Sequence, residues 1–156
     1  MSLPELFSFR GDWARYEEEL YALYLETIIQ SRLTFRNLPV KAKYAPPTKN
    51  KGFTFWHLIS EGEREEDRTP DFRRCERIRW VAWLIRNAMS HADLCWWENK
   101  RGGNTHIVIW HEREEFAVVL AKRSGYFLLK TAYWVKQYRR KDFEREREEF
   151  WRSQKN

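Results

Sequence analysis

At 156 residues the chain has the length of one domain, enough to bury roughly 68–70% of the surface its unfolded form exposes. Its apolar residues make up 42% and include 9 Trp, 7 Tyr and 10 Phe, more large rings than one small core encloses, while 29 Lys and Arg against 23 Asp and Glu give a charge of +6 that favours anionic partners such as nucleic acid. Two cysteines, Cys75 and Cys95, exclude a disulfide scaffold and paired zinc spacing, and the absence of both a secretory leader at Met1–Glu5 and any run of roughly 20 apolar residues predicts a cytoplasmic protein with no membrane partner.

In chain order, Trp13, Tyr16, Leu20, Leu23, Tyr24 and Ile28 recur at helical spacing behind Asp12 as N-cap, which predicts a helix over about 12–32. Leu38 to Tyr44 alternates loosely as a short strand, and Ala45 to Gly52 is a loop. Phe53 to Ser60 is aromatic and β-branched, so it reads as a short extended segment with His57 on the face of Phe53, Phe55 and Ile59. A charged loop follows, and Thr69-Pro70-Asp71 starts a helix over about 70–89. Arg73, Arg74 and Arg77 fall within about 100° of one another around its axis, one cationic patch. Ser90 to Trp97 fits either state. Residues 105–111, 116–122 and 126–135 alternate as strands joined by short turns, so they form an antiparallel meander. A charged helix over about 138–151 closes an α+β domain spanning 1–156, with two helices packed on the sheet.

Motifs for known chemistries are sparse. His91-Ala92-Asp93-Leu94-Cys95 alternates possible ligands without any standard zinc spacing, so no metal site is assigned. His106 and His111, five apart on a strand, point to opposite faces. Gly102-Gly103 lacks a Walker pattern, no Ser or Cys sits in a nucleophile motif, and no cofactor is implied. What remains is polar groups set among aromatics: His57, the arginines of the second helix, and Thr131 with Tyr133 in the last strand. Imidazole moves protons near neutrality, guanidinium neutralises phosphate and hydroxyls bind its oxygens, which suffices for RNA cleavage by the 2′-hydroxyl without a metal. The same residues also fit a plain packing role, His57 as a hydrogen-bonded core or edge residue and the arginines as a solvated helix face. Simple alternation turns Lys130 away from Thr131 and Tyr133.

Phe55-Trp56-His57-Leu58-Ile59-Ser60-Glu61-Gly62, then Arg68-Thr69-Pro70-Asp71-Phe72-Arg73-Arg74-Cys75-Glu76-Arg77-Ile78, and Gly125-Tyr126-Phe127-Leu128-Leu129-Lys130-Thr131-Ala132-Tyr133 together resemble the phage and prophage branch of the barnase, EndoU, colicin and RelE-like nuclease superfamily. The resemblance runs over about residues 35–138. It implies a small α+β ribonuclease that acts on RNA without metal as a toxin or effector, held in check by an inhibitor or immunity protein. Carried over by position, His57, Arg74, Thr131 and Tyr133 are the catalytic set, and Arg73, Arg77 and Lys130 bind substrate. The charged loop 61–68 and the final helix lie outside the pattern. The alternative is a non-catalytic phage or prophage accessory protein that binds nucleic acid or protein. A regulator with a helix in the major groove is disfavoured because no helix-turn-helix spacing occurs. Nothing in the sequence assigns an oligomeric state.

Overall fold

The computed structural model describes residues 2–155. Helix α1 (Trp13–Tyr24) starts where the Asp12 carboxylate accepts the Arg15 backbone N–H at 3.2 Å, and it widens into a π-helical turn, Leu25–Ile29. Strands β1 (Thr34–Phe35) and β2 (Leu38–Lys41) form a tight hairpin whose corner residues, Arg36 and Asn37, both have positive φ.

Phe53–Ile59 is a helix, α2, where the residue types predict an extended segment. Thr54, Phe55, Leu58 and Ile59 are its buried residues, the i, i+1, i+4, i+5 pattern of a helical face. Phe55 drives edge-on into Tyr21 of α1 at 4.9 Å. Burial of this face outweighs the strand preference of its aromatic and β-branched residues. His57 therefore keeps Phe53 on its face, one helical turn away, while Phe55 and Ile59 turn into the core.

Short strands β3 (Ser60–Glu61) and β4 (Thr69–Pro70) pair to close the charged loop. The helix predicted over about 70–89 is broken at Arg77 (φ −102°, ψ 18°) into α3 (Phe72–Glu76) and α4 (Ile78–Asn87). Four long strands follow: β5 (Leu94–Arg101), β6 (Asn104–His111), β7 (Phe116–Lys122) and β8 (Phe127–Trp134). The meander thus has one strand more than alternation announced, because the second half of β5, Glu98-Asn99-Lys100-Arg101, is polar. Helix α5 (Gln137–Gln154) ends the fold.

The six strands run β1-β2-β8-β7-β6-β5, antiparallel except where β2 meets β8. The sheet curls until its two edges touch: Phe35 meets Trp96 edge-on at 5.5 Å, and Arg36 Nη1 donates to Glu98 Oε2 at 3.1 Å. Helix α4 lies on the inner face. Its Ile78, Trp80, Val81, Trp83, Leu84 and Ile85 are all buried, and only a narrow stripe with Arg79 and the exposed Arg86 reaches solvent. On the outer face, Trp97, Val108, Trp110 and Ala117 pack under Phe143 of α5, whose ring is fully enclosed.

One irregularity sets the site. The β7–β8 register passes from Val119↔Thr131 to Leu120↔Leu129, so Lys130 is an extra, unpaired residue. Leu129 and Ala132 both reach the inner core, and the two residues between them are left on the outside, Lys130 exposed and Thr131 half-buried. The alternation that turned Lys130 away from Thr131 fails at this bulge.

Candidate functional site

A cleft of about 280 Å³ opens between α2 and the bulged part of β8, lined among others by Lys43, Phe53, His57, Arg123, Lys130 and Thr131. Three of its lining side chains are cations and none is a carboxylate. The backbone explains the grouping: α2 packs along the flank of β8 that β2, paired only at Phe127 and Leu128, leaves free.

His57 is held from two sides. Its ring lies 4.4 Å from that of Phe53, and its Nε2 is 2.7 Å from Glu65 Oε1. Burial pushes its pKa below the ordinary 6.5, with Arg68 and Lys130 acting the same way against the pull of Glu65. The imidazole is therefore neutral at pH 7, and the Glu65 carboxylate assigns the proton to Nε2 and the lone pair to Nδ1. Glu65 reaches it from the charged loop, which Arg68 ties down: its Nε donates to Ser60 Oγ at 3.0 Å and its Nη1 to Gly62 O at 3.1 Å. Gly62 (φ +145°) faces Arg68 so closely that a Cβ would sit 3.1 Å from its Cα, and only glycine fits there.

The remaining residues separate. Arg74 turns inward as a tie: its Nη1 donates to His57 O at 3.0 Å, Ser60 O at 2.6 Å and Thr131 Oγ1 at 3.4 Å, and Asp71 lies 3.4 Å from its Nε. Thr131 Oγ1 donates to the same His57 carbonyl at 2.9 Å. Together they fasten the end of α2 to β8 by satisfying its last carbonyls. Arg73 instead stacks its guanidinium 4.0 Å above Trp134, and Arg77 lies over Trp80 at 5.0 Å. Three neighbours on one helical arc thus send their charges to three places. Tyr133 lines a second cleft, also of about 280 Å³, with Arg73, Arg74, Trp134, Lys136 and Arg139. Of the sequence-predicted set, His57, Lys130 and Thr131 share the first cleft, Arg73, Arg74 and Tyr133 the second, and Arg77 lines neither. The Arg74–Thr131 contact is the wall between them.

Sequence reasoning passed over Glu65, Lys43 and Arg123, charged loop or strand-end residues with no pattern to distinguish them. His106 lies on the face opposite His111, as their spacing on a strand predicts, and faces outward on β6 in a row with Ala121 and the cleft residue Leu128. Its Nδ1 is buried without a partner, and burial, Arg101, Lys130 and Arg123 all depress its pKa.

Elsewhere, the His91 Nδ1 accepts the Asp93 backbone N–H, while Cys95 sits on β5 with its Sγ 3.4 Å from Arg147 Nη1. Among the described residues no three His, Cys, Asp or Glu side chains are arranged to hold a metal ion. The Cys75 thiol, pushed up to about 12 by burial, donates to Ile59 O. No helix among the described residues is long and apolar enough to cross a membrane. Comparison with protein-family models, curated proteins and solved structures gave no match.

Proposed function

We propose that this chain is a metal-independent ribonuclease of the toxin or effector type, as the sequence resemblance implies, with its reacting centre in the first cleft. The observation that carries the reading is the His57 imidazole, held by the Glu65 carboxylate at 2.7 Å, in a cleft that Lys43, Arg123 and Lys130 line with positive charge. In the proposed step Nδ1 of His57 takes the proton of a 2′-hydroxyl. The O2′–P bond forms, the O5′–P bond breaks, and the departing 5′-oxygen takes a proton from water. The cations offset the charge that builds on the phosphorane, and a base of this kind contributes roughly 10²–10⁴-fold. Arg74 is a positioning residue in this scheme, because its Nη1 is engaged by the His57 and Ser60 carbonyls and Thr131. An inhibitor or immunity protein fitted to this cleft would present carboxylates to it.

The test is incubation of the purified protein with total tRNA and mRNA in EDTA. Fragments ending in 2′,3′-cyclic phosphate, lost in His57→Ala, are expected. No cleavage, or cleavage undiminished in the variant, sinks the assignment. The second reading, a non-catalytic RNA-binding protein, gains from the engagement of Arg74 and of His57 Nε2 in internal contacts, and it predicts saturable binding without turnover.

A further inference from the structure

The second cleft has no part in that step, yet its walls carry four cationic side chains. Arg73, Arg74, Lys136 and Arg139 face it against two carboxylates, Glu61 and Asp71. Asp71 is already consumed, accepting the Arg73 and Arg74 backbone N–H groups at the start of α3 and pairing with the Arg74 side chain. Arg139 shares its charge with Asp142 at 3.3 Å, which leaves Arg73 and Lys136 as the freest cations. Arg73 holds its guanidinium carbon 4.0 Å from the centre of the Trp134 ring, a cation–π contact that uses no hydrogen-bond donor. Tyr138, also on the wall, is 72% exposed, a large ring left mostly to solvent. Helix α5 begins here, 18 residues long, with no side-chain cap and no acidic residue in its first turn, so its positive end is uncompensated.

The two clefts adjoin. Thr131 in one and Arg74 in the other touch at 3.4 Å, and Thr131 and Tyr133 are two residues apart on one face of β8, about 7 Å. Resting on the ribonuclease reading for the identity of the strand, we infer that the second cleft is a flanking subsite for single-stranded RNA. A neighbouring phosphate lies against Arg73, Lys136 and the start of α5, and its base stacks on Tyr138. Cationic side chains interleaved with an exposed ring are how proteins hold single strands without reading sequence. Substrates would accordingly be extended strands rather than dinucleotides.

Binding of 2′-O-methyl oligouridylates, which lack the attacking hydroxyl, separates this inference from the catalytic one. By isothermal titration an octanucleotide should bind at least about tenfold tighter than a dinucleotide. Arg73→Ala and Tyr138→Ala should each weaken the octanucleotide by about tenfold and leave the dinucleotide unchanged, and Arg73→Ala should reduce the salt slope by about one. Tyr138 is exposed, so its variant folds normally and keeps the test interpretable. Equal affinity for both lengths, equal weakening of both by the variants, or binding of neither overturns the subsite. Length-dependent binding lost in the variants, in a protein that cleaves no RNA, upholds the subsite and discards the nuclease. Cleavage with no length dependence does the reverse.

Discussion

The two faces of the sheet are built to opposite standards. On the inner face, Ile107, Ile109, Val118, Leu120, Leu129 and Ala132 are all essentially closed to solvent under α4 and α1. On the outer face only the span from β5 to β7 is sealed, by Phe143 of α5, and the β8 flank carries the exposed Lys130 and the half-buried Thr131 and Tyr133. A face buried throughout fixes register, since a slip of one residue would turn its apolar set outward. The bulge at Lys130 uses that rigidity: Leu129 and Ala132 stay locked inside, so the extra residue is forced out beside Thr131. Function and stability should therefore separate by face.

The largest expected effect is on the outer side. His57→Ala should lower the second-order rate constant for RNA cleavage by about 10²–10⁴ while the melting temperature moves only slightly. Its inner-face counterpart, Ile109→Ala, should lose about 2–5 kcal/mol in denaturant unfolding yet keep the turnover of each folded molecule. A loss of turnover in fully folded Ile109→Ala would break the division between the faces.

Arg74 should cross that line. Although it lies next to the cleft, its bonds to His57 O, Ser60 O and Thr131 Oγ1 make it structural, and Arg74→Ala should cost about 1–3 kcal/mol of stability and loosen α2, while His57 O keeps Thr131 and Ser60 O keeps Arg68 as donors. Arg74→Lys should restore it only in part, because one ammonium cannot meet both the acceptors served by Nη1 and the Asp71 carboxylate beside Nε. Unchanged stability with a large drop in kcat would instead make Arg74 a direct participant. Smaller again is Lys130→Ala, expected to lower cleavage about tenfold at unchanged melting temperature. Deleting Lys130 should do little more than replacing it: closing the bulge leaves Leu129 and Ala132 inside and Thr131 between them on the outer face, opposite Val119.

How much of this was legible in sequence follows the same division. The meander over residues 104–134 was readable because its inner residues are apolar and its turns short, and α1 because Asp12 and a helical apolar stripe announce it. α2 was misread because Phe53, Thr54, Phe55, Trp56 and Ile59 are strand-favouring types; the helical spacing of Thr54, Phe55, Leu58 and Ile59 held the correct answer. In the site, His57 and Thr131 stood out as polar groups in apolar segments. The partnership of His57 with Glu65 did not, since it depends on how Arg68 folds a charged loop back on Ser60. Nor did the bulge, because a single inserted residue leaves no periodic trace beyond the three-residue step from Leu129 to Ala132. Grouping Arg73, Arg74 and Arg77 by helical angle failed for a simpler reason: long side chains choose their partners beyond the helix, here Trp134, the end of α2 and Trp80.

The smallest expected effect tests both faces at once through pH. Burial holds His57, His106 and His111 below the ordinary 6.5, so each prefers to be neutral when folded. At acid pH the unfolded chain then binds more protons than the folded one, and stability must fall as pH drops below about 6.5, being complete above it. His111 is 4% exposed and its Nδ1 accepts the Glu114 backbone N–H at 3.2 Å, an acceptor role that protonation abolishes. Melting temperature should decline by a few degrees from about pH 7.5 to about pH 5 and decline less in His111→Leu, whereas His57→Ala should leave most of the slope in place. Cleavage should show its own acid limb, with an apparent pKa below 6.5 set by His57. An acid limb above 6.5, or a melting temperature that rises on acidification, would contradict the neutral imidazole on which the proposed proton transfer depends.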